Sequence, residues 1–254
     1  MLKKRIIPIQ LLLDNRLVKT AKFGTWRDVG DPVKSSAVYN SQYADELIFL
    51  NIARTRRSVE DLAKVISEVS KVCFMPMSMG GGINSYEDAA FLILNGADKI
   101  VLNSAAYSRP EIITRTGENF GSQAVIVCID VSWDSEKGRY VLYSECGQRP
   151  MSVSLEDHVR HCTEAGAGEI MIQSIDRDGM MNGYDTAMIE AVMAVTNLPV
   201  IGAGGSGNYG HLKDAFLKTD VSALACGSLF NFSDSNPMRA KAFLTNYGLP
   251  FKVV

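Results

Sequence analysis

Gly80-Gly81-Gly82-Ile83, a helical stretch, and then Lys99-Ile100-Val101-Leu102-Asn103-Ser104 form the passage on which the fold turns. About half a chain later the same order returns. Ala203-Gly204-Gly205-Ser206-Gly207 leads into a helical stretch and then into Ala223-Leu224-Ala225-Cys226-Gly227-Ser228. A period of half the chain is too long for a solenoid and fits a protein built from two similar halves.

Outward from these two passages, short apolar runs alternate with amphipathic ones. Strands are expected at 5–12, 46–51, 72–79, 99–103, 124–130, 169–174, 199–203 and 222–226. They are apolar throughout, as parallel strands covered on both faces are. Helices are expected at 59–72, 86–95, 155–166, 185–196 and 209–218; in the first, Leu62, Val65, Ile66 and Val69 recur at helical spacing. Eight strands, each followed by a helix, predict a closed (β/α)8 TIM barrel of two half-barrel repeats, one domain over residues 1–254.

Each glycine-rich turn follows a strand and opens a helix. Such a turn presents backbone N–H groups to an anion, though glycine also serves simply to make a tight turn. The pairing of the turns favours two phosphate seats, one at Gly81, Gly82, Asn103 and Ser104, the other at Gly204, Gly205, Gly227 and Ser228. A bis-phosphorylated ligand would span them. The run from Ser174 to Asp185, with Asp178 and Gly179, reads as a further loop facing the ligand. Asp130 ends an apolar strand, where a carboxylate enters the barrel mouth as an acid or base, or else caps a turn. Arg5, Glu46, Lys99 and Glu169 sit at strand starts. They are either unrelated solvated charges or a ring of ion pairs in the barrel floor.

The bulk numbers exclude several classes. The 254 residues carry a net charge of −2 and are 46% hydrophobic and 21% charged, which is ordinary for a globular chain and argues against nucleic acid as a partner. No apolar run reaches the roughly 18 residues that a membrane helix needs. The basic start before Pro8 lacks a small-residue cleavage site, so a cytoplasmic location is expected. Cys73, Cys128, Cys146, Cys162 and Cys226 are scattered and read as buried, reduced thiols. His158 and His161 read as a solvated helix face rather than metal ligands, and with His211 they make no zinc pattern. No metal and no cofactor are expected.

Lys4-Arg5-Ile6-Ile7-Pro8, Gly30-Asp31-Pro32, Asp45-Glu46-Leu47, Gly80-Gly81-Gly82-Ile83 and Gly96-Ala97-Asp98-Lys99 resemble the cyclase subunit of imidazole glycerol phosphate synthase. So do Asn103-Ser104-Ala105-Ala106, Phe120-Gly121-Ser122-Gln123-Ala124-Val125, Ile175-Asp176-Arg177-Asp178-Gly179 and Gly183-Tyr184-Asp185. The resemblance covers essentially the whole chain. It implies a barrel that takes ammonia from a separate glutaminase at its floor and delivers it to a bis-phosphorylated ribulosyl-formimino substrate at its mouth. On that footing Arg5, Glu46, Lys99 and Glu169 correspond to an ammonia gate, and Asp98 to the partner-facing entrance. Lys19 corresponds to a mobile-loop lysine, and Asp130 to one of two catalytic aspartates.

The second aspartate is missing. Its position at the end of strand one is Leu11, and Asp14 matches the turn that follows. Asn51 replaces another aspartate the family tends to carry. Leucine transfers no proton, so a two-carboxylate mechanism lacks half of its groups. In this respect the chain resembles paralogues of surface-polysaccharide pathways, which work with a glutaminase and a sugar amidotransferase. The leading expectation is therefore an ammonia-conducting barrel serving sugar amidation. The alternatives are an authentic histidine-pathway cyclase and a scaffold that binds phosphate without catalysis.

Overall fold

The chain enters the barrel with β1 (Arg5–Leu13) and doubles back through β2 (Arg16–Thr20) and β3 (Trp26–Gly30) before α1 (Pro32–Ser41). The first half continues as β4 (Leu47–Asn51), α2 (Val59–Val69), β5 (Met77–Gly80), α3 (Tyr86–Leu94), β6 (Lys99–Leu102), α4 (Ser104–Ser108) and α5 (Glu111–Phe120). The second half opens with β7 (Val125–Asp134), whose outer end pairs with β8 (Arg139–Ser144), followed by β9 (Arg149–Pro150) and α6 (Leu155–Glu164). Then come β10 (Glu169–Ser174), α7 (Thr186–Met193), β11 (Val200–Ala203), α8 (Tyr209–Thr219), β12 (Ala223–Cys226), α9 (Ser228–Asn231) and α10 (Pro237–Thr245). This computed structural model describes residues 3–54 and 58–252.

Strands β1, β4, β5, β6, β7, β10, β11 and β12 pair in parallel, and β12 returns to β1, so the barrel is closed. Closure removes the unpaired sheet edge that an open arrangement would expose. Alternation along each strand then divides the core in two. Ile6 and Leu12 point out toward the helices, in a shell with Leu62, Ile66 and Phe216. Ile7, Ile9, Leu11, Ile48, Val101, Ile126, Met171 and Ile201 fill the barrel itself.

Local chemistry fixes the helix starts. Ser58, Ser154, Asp185 and Asn208 each accept a hydrogen bond from a backbone N–H in the following first turn, and Ser85 forms a reciprocal capping box with Asp88. In α2 the four residues expected to face the core, Leu62, Val65, Ile66 and Val69, are all buried.

The structure departs from the expected elements in three places. Strand β5 starts at Met77, not at 72, because Val72 and Cys73 donate back to the Val69 carbonyl and finish the turn that ends α2. Pro76 then precedes the strand, and Phe74 is left 84% exposed. Strands β1 and β7 lead into antiparallel hairpins rather than directly into helices. His158 is not on a solvated face. It is buried, stacked on Tyr107 with ring centroids 3.9 Å apart, and within 3.6 Å of the Cys162 sulfur.

Candidate functional site at the two ends of the barrel

At the floor, the four charged strand starts meet in a closed alternating ring. Arg5 donates to Glu46 at 2.6 Å and to Glu169 at 2.8 Å, while Lys99 donates to Glu46 at 3.1 Å and to Glu169 at 2.5 Å. All four face inward because they share the strand parity of the interior residues. Burial pushes the Glu169 carboxyl up, but hydrogen bonds and charge from Arg5, then from Lys99, outweigh it and hold the group below its ordinary range. The Arg5 guanidinium is likewise held protonated by Glu169 and Glu46 against its own burial. Two acids and two bases leave no net charge, which makes such a ring tolerable in a barrel core. Asp98 lies exposed beside it and accepts from the Met77 N–H at 2.8 Å, capping the start of β5.

At the mouth, two cavities stand side by side. The larger, about 850 Å³, is lined by Gly81, Gly82, Asn103 and Ser104 together with Leu11, Asn51, Trp26, Asp130 and Gln173. The smaller, about 20 Å³, is lined by Gly204, Gly205, Gly227 and Ser228 with Lys19, Asp178 and Gly179. Leu11 and Gln173 border both. The glycines are required by close approach of backbone. A Cβ at Gly81 would stand 2.1 Å from the Asn51 carbonyl oxygen, and one at Gly204 would stand 2.7 Å from that of Ser174. The two half-barrels thus place equivalent turns in equivalent positions.

Asp130 is 7% exposed, accepts from the Asn103 amide at 2.9 Å and has the Cys128 thiol at 3.4 Å. Burial pushes its carboxyl up to about 7, with the Asp178 charge adding to the rise and the two hydrogen bonds opposing it. A carboxyl poised there can give or take a proton near neutrality. Leu11 is 5% exposed and contributes only an apolar wall to the same cavity. Glu145, the other carboxylate along that wall, is exposed in the β8–β9 turn and faces Arg149 at 3.7 Å.

The run from Ser174 to Asp185 is committed to holding loops. Asp176 accepts from the Ser132 hydroxyl and the Trp133 N–H, and Asp185 caps α7. The Asp178 carboxylate, read from sequence as a phosphate contact, accepts from Lys19 at 2.5 Å, Thr20 at 2.6 Å and the Phe23 N–H at 3.3 Å. An acceptor-only group occupied in this way repels an anion, so its structural part is to fasten the β2–β3 hairpin and to hold the Lys19 ammonium. Of the cysteines, four are buried and Cys146 is partly exposed at the cavity wall rather than in a core strand. Among the described residues no group of His, Cys, Asp and Glu is arranged to hold a metal ion, and no helix is long and apolar enough to cross a membrane.

A sequence profile described as histidine biosynthesis protein matches residues 5–235. The chain is 38% identical over 249 residues, 98% of each chain, to the imidazole glycerol phosphate synthase subunit HisF of Staphylococcus carnosus. The chain belongs to the HisF family. Its identity to the subunit of the same name from Lactiplantibacillus plantarum is 40% over 249 residues, 98% of this chain and 99% of that one. With the HisF of Chlorobaculum tepidum it shares 38% over 253 residues, the full length of both. Within this HisF-family barrel, sequence reading had not marked Gln173. One polar residue in an apolar strand resembles many others until closure of the barrel shows which way it points.

Proposed function

We propose that this barrel accepts ammonia from a glutaminase docked on its floor and delivers it to a phosphorylated ligand held between the paired glycine turns at its mouth. The observation that carries the reading is the closed ring of Arg5, Glu46, Lys99 and Glu169, which seals one end of a largely apolar barrel with four polar groups; on this reading they part to admit ammonia. In this reading Asp98 lines the entrance, and Gly81, Gly82, Asn103 and Ser104 form the open phosphate seat. Gly204, Gly205, Gly227 and Ser228 form the covered one, where Lys19 supplies the cationic charge. Backbone N–H groups at such turns suit phosphate oxygens. Reduced thiols fit work in the cytoplasm.

Two chemistries at the mouth share this layout. The relatives' names support imidazole glycerol phosphate formation in histidine biosynthesis better than the sugar amidation that the sequence led us to expect, and cyclisation is the first reading. One observation favours the second. Leu11 stands where a second proton-transferring group is needed, and Asp130 is left as the buried carboxylate of the larger cavity. Loss of a general acid or base costs on the order of 10²–10⁴ in rate. Cyclase turnover with saturating ammonia decides between them. A rate within about tenfold of a two-aspartate relative sustains the histidine reading. A rate lower by the general acid–base factor, rising in Leu11→Asp, supports an ammonia-delivering barrel that serves an amidotransferase.

A further inference from the structure

Gln173 points into the barrel from β10, in register with Asp130 of β7 on one side and Ala203 of β11 on the other. It is 6% exposed, and its amide makes no hydrogen bond among the described residues. It borders both cavities, so it stands between the two paired glycine turns. Its amide atoms open onto these cavities rather than being sealed in the core, so with no protein partner they are placed to meet a ligand or water. The same mouth holds two more unmatched groups, the Asn103 Oδ1 and the Ser228 hydroxyl. Leu11, which borders the same two cavities, offers nothing to bond to.

We propose that Gln173 is a specificity-determining residue that binds the uncharged polar middle of the ligand, a hydroxyl, carbonyl or amide lying between its phosphate ends. This rests on the reading of the paired turns as phosphate seats. An amide offers two donors and an acceptor without charge, so it matches a neutral polar group and gains nothing from a purely hydrocarbon spacer. The neighbouring Asp130 carboxyl, raised to about 7, adds no full charge to that middle region near neutral pH. Sites built to hydrogen-bond a hydroxyl reject the analogue that lacks it, because the site's own polar groups are then left unpaired.

The test is calorimetric titration of the intact chain with two probes of equal backbone length, ribulose 1,5-bisphosphate and pentane-1,5-diol bisphosphate, with inorganic phosphate as control. The wild-type protein is expected to prefer the ribulose probe by about tenfold or more, the worth of one or two good hydrogen bonds. Gln173→Met, close in volume and without the amide, is expected to bind both probes within about threefold of each other while holding inorganic phosphate as the wild type does. Because a ratio of ratios is read, a general loosening of the barrel would move both probes together and leave the preference intact. An undiminished preference in Gln173→Met overturns this inference alone. Failure of the wild-type chain to bind inorganic phosphate or either bisphosphate overturns the phosphate-seat reading and this inference with it.

Discussion

Lys99→Met is the substitution that questions the floor ring most directly. Lys99 makes two of the four ion-pair contacts, and its side chain is 14% exposed against 9% for Glu46 and 8% for Glu169. Removing it leaves two carboxylates facing one guanidinium, a net negative charge with little water to solvate it. Breaking a buried pair in this way costs about 3–5 kcal/mol. At about 2 °C per kcal/mol for a chain of this size, the melting temperature is expected to fall by about 6–10 °C. Charge balance rather than lost packing is the cause, so Lys99→Met combined with Glu46→Gln, which again leaves one acid and one base, will recover more than half of the loss. The pH dependence has a definite sign. Glu169 is held below its ordinary range in the fold, so its pairing stabilises at pH above that range and is lost as the pH falls through the depressed value. The gap between wild type and variant will therefore be widest at neutral pH and will narrow in acid. Differential scanning calorimetry at pH 7 and pH 4 gives both numbers. A melting temperature within about 2 °C of wild type at pH 7, with no recovery in the double variant, refutes the view of the ring as one neutral unit.

Asp130→Asn is expected to stabilise the fold by roughly 4 kcal/mol at pH 8 and to leave it unchanged at pH 4. The folded carboxyl near 7 lies above its unfolded value of about 3.9, so the penalty for charging it grows across that interval; urea melts at the two pH values measure it. His158 is pushed down to about 4 by burial, with His161 assisting, so the fold loses about 3 kcal/mol as the pH drops from 6.5 through 4. His158→Phe, which keeps an aromatic ring against Tyr107, will flatten that acid slope, and a stability profile as steep as wild type would contradict the assignment. Gly81→Ala places a Cβ 2.1 Å from the Asn51 carbonyl oxygen at a φ of +91°, and a destabilisation of about 3 kcal/mol or more is expected in chemical denaturation.

The barrel was legible because parallel strands buried on both faces read as continuous apolar runs, and the repeat of Gly80–Gly82 in Gly204–Gly205 declared the two halves. The ring was legible for a related reason: a charge at the start of an apolar strand stands out. What stayed hidden depends on direction. Val72 and Cys73 look like strand residues, and only the hydrogen bonds that complete the turn after α2 reassign them. His158 shares the buried stripe of Leu155, Val159 and Cys162, but a polar ring there reads as solvated until Tyr107 is seen stacked on it. Asp178 and Gln173 show the limit most clearly. From sequence the aspartate looked like a ligand contact and the glutamine like nothing, yet the aspartate is spent on Lys19, Thr20 and Phe23 while the glutamine is left facing the cavities.

The fastening of the β2–β3 hairpin by Asp178 has a kinetic consequence. With Lys19 and Thr20 both tied to that carboxylate, the seat made by Gly204, Gly205 and Ser228 is reduced to about 20 Å³, while the seat at Gly81 and Gly82 opens into the large cavity. On the proposed reading of these turns as phosphate seats, a molecule with a phosphate at each end docks one end by simple collision and waits for the Lys19–Asp178 contact to part before the other end settles. Association followed in a stopped-flow instrument will separate into a phase whose rate rises linearly with concentration and a slower one that reaches a ceiling, and the ceiling is the rate at which the hairpin lets go.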